Sequence, residues 1–191
     1  MLTTKRLFQT LADYNNPSAV ESHGPYKCKR SPWFGEGYYF WDSFVQLAHW
    51  WGKIGYENSY IICQIIYPYN DENFFDITGS NIEQLEDFHD CIIEYFGSLD
   101  AKYTIPQVIE LMKSRTNLTE EFIGIRGRGK HKMDIPENNI PIKYGKSYVY
   151  ELFPPIQICF FDNKALKGYD FKIIHPDKYV CQDMDMTDTI I

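Results

Sequence analysis

Two glycines followed by four aromatic residues, Gly35-Glu36-Gly37-Tyr38-Tyr39-Phe40-Trp41-Asp42, constrain the fold of this chain more than any other stretch. Glycine permits a positive φ and lets a second backbone, or a ligand, approach closely. Consecutive aromatic residues favour extended backbone, so residues 37–41 are predicted to form a strand. Strand alternation sends Tyr39 and Trp41 to one face and Tyr38 and Phe40 to the other. One face can pack on a core while the other offers flat rings. Residue chemistry alone leaves two readings open. The stretch is a Gly-rich turn entering a core strand, or it is the corner of a ligand site spanning residues 33–52.

The flanking sequence supplies further elements. Ser43 and Gln46 have the spacing of a capping box, with Phe44, Leu47, Ala48 and Trp51 as the buried stripe of the helix and Gly52 as its stop. Strands are predicted at 6–12, 59–67, 74–77, 122–126, 147–153, 156–161 and 171–174, and helices at 17–22, 81–96 and 104–114. The last of these helices carries its own capping box, Thr104 with Gln107. Residues 59–67 are nearly all apolar, as expected of a strand covered on both faces. Helices gather in the first two-thirds and strands in the last third. That order favours an α+β fold over a doubly wound one.

Composition sets outer bounds. The 191 residues, without repeats or a Pro/Gly/Ser-rich linker, fit one domain over 1–191, with 182–191 as a loose acidic tail. A net charge of −7 argues against broad attraction to nucleic acid. Five cysteines, widely spaced and without a CxxC, argue against a zinc site or a disulfide scaffold and fit a reducing compartment. No metal is expected. Residues 1–9 lack the apolar core of a signal peptide, and no apolar run approaches the roughly 18 residues of a membrane span. A cytoplasmic protein without a membrane partner is expected.

The segment Gly35 to Asp42, with Ala48 and Trp50-Trp51 after it, resembles the G-x-G-x-Y-F motif of ADP-ribosyltransferases. The likeness is to their diphtheria-toxin/poly(ADP-ribose) polymerase-like branch and its small bacterial and phage relatives. Leu7-Phe8-Gln9-Thr10 resembles that family's first strand, with Gln9 where the family has a ribose-binding His; His23-Gly24 is the rival position. Pro155 to Phe161, followed by Lys164-Ala165-Leu166, resembles the late strand that carries the family's catalytic Glu, with Gln157 at the matching position. The resemblance implies two small β-sheets packed together and NAD as substrate. It implies a catalytic set of Tyr39, Gln157 and Gln9, and an NAD-binding set that adds Thr10, Trp33, Gly35, Gly37, Tyr38, Ser43 and Trp51. Tyr39 would stack on nicotinamide, and Gln9 would bond a ribose hydroxyl.

The implied activity is transfer of a single ADP-ribose to a macromolecular acceptor, protein or nucleic acid, in a toxin or defence role. Cleaving the nicotinamide–ribose bond builds positive charge on the ribose, as in glycoside hydrolysis. A Gln at position 157 accepts a hydrogen bond but carries no negative charge and is no general base. Glu151 and Glu36 are the carboxylates available to assist. A non-catalytic module binding NAD or ADP-ribose, and an NAD glycohydrolase, are the alternatives.

Arg126, Arg128, Lys130 and Lys132, interleaved with Gly127, Gly129 and His131, form the one basic cluster. It reads either as a solvated loop or as a grip on pyrophosphate or a phosphate-bearing acceptor. Lys27, Lys29 and Arg30 can add to it. His49, His89, His131 and His175 show no ligand spacing. Glu83, Glu86, Asp87 and Asp90 read as the exposed face of a helix.

Overall fold

The computed structural model describes residues 2–28, 32–99, 102–129, 139–142 and 149–180. The elements run β1 (Thr3–Ala12), α1 (Pro17–His23), β2 (Tyr38–Asp42), α2 (Val45–Gly55), β3 (Tyr60–Tyr69) and β4 (Phe74–Asp76). Three helices follow, α3 (Ile82–Phe96), α4 (Ile105–Arg115) and α5 (Leu118–Glu121). Then come β5 (Gly124–Arg128), β6 (Asn139–Pro141), β7 (Val149–Glu151), β8 (Ile156–Phe160) and β9 (Lys172–His175). Seven strands form one mixed sheet in the order β4-β5-β8-β2-β1-β3-β9, and β6 pairs with β7 in a separate ribbon. The fold class is α+β. No helix among the described residues is long and apolar enough to cross a membrane.

Two separate sheets are expected from the resemblance, whereas the hydrogen bonding is continuous. The continuity is thin at one place. β1 pairs with β3 over ten residues, but with β2 through only Leu7–Asp42 and Phe8–Trp41. The sheet is therefore two halves, β4-β5-β8-β2 and β1-β3-β9, joined at the middle of β1 and the last residues of β2 and parted beyond Phe8. One face is covered by a common core that includes Leu7, Phe40, Ile65, Ile158 and Phe160. On the opposite face the core is divided. Phe34, Ile109 and Ile125 fill the space beneath α3 to α5 over the first half, and Phe8, Trp41, Leu47 and Ile62 pack beneath α2 over the second. Burial of such side chains contributes about 1.5–3 kcal/mol each.

Several ends follow local rules. Asn81 caps α3 by accepting from Gln84 N–H (3.2 Å), and Gly97 closes it in the left-handed conformation. Gln107 accepts from Thr104 N–H (2.8 Å) at the start of α4, as the capping-box spacing predicts. The start of α2 differs from expectation. Ser43 has φ +68° and its Oγ donates to Asp42 Oδ1 (2.6 Å), so it does not cap the helix, which begins at Val45. Gly52 does not stop α2 either. It lies inside the helix because a Cβ there would sit 2.4 Å from the Tyr60 ring, so the glycine lets α2 approach β3. The short helix α5 has no counterpart in the sequence-based assignment.

The thin junction is reinforced by charge. Asp42, at the end of β2, accepts from Lys5 Nζ of β1 (2.6 Å) and from Arg126 Nε of β5 (3.0 Å). Arg126 Nη1 also donates to Asp76 Oδ2 of β4 (2.8 Å) and to Thr78 Oγ1 (3.2 Å). Four strands from both halves are thus tied at the closed end. Arg126 is spent in this network, and Arg128 pairs with Glu151. Arg126 is thus largely turned inward, whereas Arg128 remains half exposed beside Glu151. Lys130, His131 and Lys132 lie outside the described residues, as do Lys29, Arg30 and the acidic tail.

Candidate functional site

Where β1 and β2 part, a cavity of about 530 Å³ opens. That is within the range of small-molecule sites. Its walls come from Gln9 to Ala12 of β1, Tyr39 and Trp41 of β2, Gln157 of β8, the segment Tyr26 to Cys28, and Trp33, Trp51 and Tyr56. Position explains the first wall. Arg6 O accepts from Ser43 N–H (2.9 Å), so strand alternation turns the backbone groups of Phe8, Thr10 and Ala12 toward β2 as well. The β1–β2 ladder ends at Phe8, which leaves the Thr10 edge facing the cavity without a strand partner. The Thr10 hydroxyl is occupied, donating to Ala48 O of α2 (3.0 Å).

Tyr39 is held from both ends. Its hydroxyl accepts from Phe34 N–H (2.7 Å) and donates to Gly35 O (2.7 Å), and its ring lies parallel to Phe34 at 6.0 Å. Gly35 makes this turn with φ +84°. Burial, and next the neighbouring Cys159 thiol, push the Tyr39 hydroxyl far above the ordinary phenol value. Tyr39 therefore contributes an apolar ring and no acid or base. Trp33 stands edge-on to Trp41 (5.9 Å) and to Trp51 (6.3 Å), completing an aromatic wall.

The two glutamines differ. Gln9 is buried, and its amide is engaged by the protein. Nε2 donates to Tyr26 O (2.8 Å) and Tyr39 O (3.2 Å), and Oε1 accepts from Tyr26 N–H (2.8 Å). It fastens the segment after α1 across the parting strands, with one acceptor lone pair left over. Gln157 is 9% exposed and lines the cavity, and its side-chain amide makes no hydrogen bond among the described residues. Among the described residues only the Tyr69 hydroxyl is a buried side-chain polar atom without a partner, so the Gln157 amide is open to the cleft, where a ligand can bond it.

The remaining expected residues shape the site without lining it. Gly35 positions the Tyr39 hydroxyl, and Gly37 O accepts from Cys28 N–H (2.9 Å). Tyr38 packs on the opposite face with Phe40, and Ser43 sits at the closed end beside Asp42. His23 lies on the exposed end of α1, outside the cavity lining. Trp41 was legible through its alternation with Tyr39, whereas Tyr26, Lys27 and Cys28 reach the wall through tertiary folding after α1 and carry no local signal. No carboxylate lines the cavity among the described residues. Glu36 is exposed and paired with Lys27, the one charged lining residue among the described residues, and Glu151 is paired with Arg128.

Behind α2, His49 Nδ1 lies 3.0 Å from Tyr60 Oη, and its ring is 4.8 Å from His175, which stacks on Tyr60. Burial lowers the pKa of both histidines, and each proton on His175 further disfavours one on His49. The unfolded chain then binds more protons than the folded one near and below the ordinary imidazole value. Stability from this pair is full above pH about 6.5 and is lost as pH falls from there through the lower folded values. Melting temperature is expected to drop between pH 7.5 and 5.5, and the His175→Gln chain is expected to show a shallower drop. An equal slope in both chains would remove the pair as its cause.

Comparison of the chain with protein-family models, with curated proteins and with solved structures gave no match.

Proposed function

We propose that this cleft binds NAD, and that the chain is an ADP-ribosyltransferase-type protein with a split-sheet core that transfers a single ADP-ribose to a macromolecular acceptor, in a toxin or defence role. The observation that carries the reading is the pairing, in one cavity at the parting of two half-sheets, of the pinned Tyr39 ring with the unpartnered Gln157 amide. Each lining group has a use in that reading. The Tyr39 ring stacks on nicotinamide. The Thr10 backbone edge suits a carboxamide, which needs one donor and one acceptor. Gln157 bonds a ribose hydroxyl, and Gln9 holds the wall rather than the ligand. Lys27 supplies a cation for pyrophosphate. The C1′–nitrogen bond of the ribose breaks, nicotinamide leaves with the electron pair, and an acceptor oxygen or nitrogen takes its place on C1′.

The absence of a carboxylate from the described lining favours a second reading, in which the cleft binds NAD or ADP-ribose without cleaving it. Calorimetry with NAD, with nicotinamide followed in the same sample, separates the two. Binding with release and a labelled acceptor supports transfer. Release without a labelled acceptor indicates a glycohydrolase, and binding alone indicates a sensor. No binding at millimolar NAD would end both readings. Tyr39→Ala is expected to weaken binding by roughly tenfold or more, since ring stacking alone is worth about 0.5–1.5 kcal/mol beyond area burial. Tyr39→Phe keeps the ring and is expected to keep most of the affinity. Equal affinity in wild type and Tyr39→Ala would remove this corner from the site.

A further inference from the structure

Cys28 lies on the cleft wall and has no task in NAD chemistry. Its N–H is tied to Gly37 O (2.9 Å), which fixes its backbone beside the start of β2. Its thiol is within electrostatic reach of the Tyr39 hydroxyl and of Cys159. Cys63, Cys91 and Cys159 are buried, whereas Cys28 is part exposed. The same cavity is lined by Gln157, 9% exposed and with its amide unpartnered among the described residues, and by Lys27, whose ammonium pairs with the exposed Glu36. A thiol, an amide seeking a partner and a cation therefore share one opening of about 530 Å³.

We propose that Cys28 is a thiol-modification site, at which a small peptide disulfide of the glutathione class exchanges and leaves a group that occupies the cleft. The peptide groups of such an adduct match Gln157, which both donates and accepts, and its carboxylates match Lys27. The inference rests on the cleft being the ligand site. In the exchange, the Cys28 thiol gives its proton to solvent and its sulfur attacks one sulfur of the disulfide. That S–S bond breaks, a new one joins Cys28 to the adduct, and the second thiolate leaves with the electron pair and is protonated by solvent. Cys28 is oxidised and the departing sulfur is reduced. A cleft filled in this way excludes a nucleotide until a reductant frees it, so occupancy follows the redox state of the thiol pool.

The test uses the full chain with Cys181→Ser, because Cys181 lies outside the described residues. The protein is incubated with oxidised glutathione, and adducts are mapped by mass spectrometry while tryptophan emission is recorded. One adduct per chain, on Cys28, is expected, with a change in emission from Trp33, Trp41 and Trp51. Dithiothreitol is expected to reverse both, and Cys28→Ser should take up no adduct. ADP-ribose binding is expected to be lost in the adduct and restored on reduction. No adduct on Cys28 overturns the proposal. So does a Cys28 adduct that leaves emission unchanged, or one that leaves ADP-ribose affinity unchanged. If the untreated chain binds neither NAD nor ADP-ribose, the proposed function fails, and mapping with emission still decides the Cys28 site.

Discussion

Arg126→Met is expected to destabilise the fold by about 3–5 kcal/mol, the usual cost of removing one partner from a buried charge network. For a chain of this size that lowers the melting temperature by roughly 6–20 °C. The reason lies in the count of charges. Asp42 and Asp76 face Lys5 and Arg126, two negative charges against two positive. Without the guanidinium, Asp76 loses its cation and Asp42 keeps only Lys5. Lys5 is already committed, with its ammonium 4.1 Å from the centre of the Tyr69 ring. Burial by itself would raise the Asp42 carboxyl, but the bonds from Lys5 and Ser43 and the charge of Arg126 outweigh it and hold the group below its ordinary value. A depressed carboxyl contributes stability above the unfolded pKa, and that contribution is lost as pH falls through the folded one. Wild type should therefore lose stability below pH about 4, and Arg126→Met should lose less over the same range because less remains to be lost. Thermal melts at pH 3 to 7 check both parts. A variant within about 1 kcal/mol of wild type at neutral pH would show that Asp42 and Asp76 do not depend on this cation.

The same network shows where reading the sequence succeeds and where it stops. Asn81, Gly97 and the Thr104–Gln107 pair act on backbone groups within four residues, so their spacing announces them. Alternation of Tyr39 and Trp41 against Phe40 is equally local. Arg126 bonds Asp42 across 84 residues, and nothing near either residue marks the partner. Its neighbours Gly127, Arg128 and Gly129 suggest a basic loop, yet pairing with β8 makes the segment a strand and turns the guanidinium inward. Ser43 and Gly52 satisfy the rules for a helix start and stop, and each is overridden by a contact outside the helix, Asp42 for one and Tyr60 for the other. Gln9 reads as a ligand-binding amide, and its bonds to Tyr26 have no local signal because that segment is brought to it only by the turn after α1. The parting of β1 from β2 has no periodic signature. It depends on which residues of a long strand find a neighbour, and that is decided by the whole sheet.

Gln157→Glu is expected to raise nicotinamide release from NAD by about 10²–10³-fold, the rate equivalent of one well-placed electrostatic contact at roughly 2.7–4 kcal/mol. The substitution keeps the shape of the side chain and adds the negative charge that the described lining lacks. Charge matters here because the transition state carries positive charge on the ribose, while a ground-state hydrogen bond is available to Gln and Glu alike. The gain should therefore appear in turnover, with the affinity for ADP-ribose little changed. Stability should move the other way. A carboxyl at this buried position has only Lys27 as a cation on the described lining, so burial raises its pKa. A raised carboxyl leaves stability intact below the unfolded pKa and costs stability as pH rises through the folded one. The variant should thus melt lower at pH 8 than at pH 5 while its rate of release climbs over the same interval. Opposed trends in one chain would tie the ionised carboxylate to the reaction, which a general loosening of the cleft would not do. An unchanged rate in a variant that still binds ADP-ribose would show that position 157 does not face the reacting ribose, and would leave binding alone as the function of the cleft.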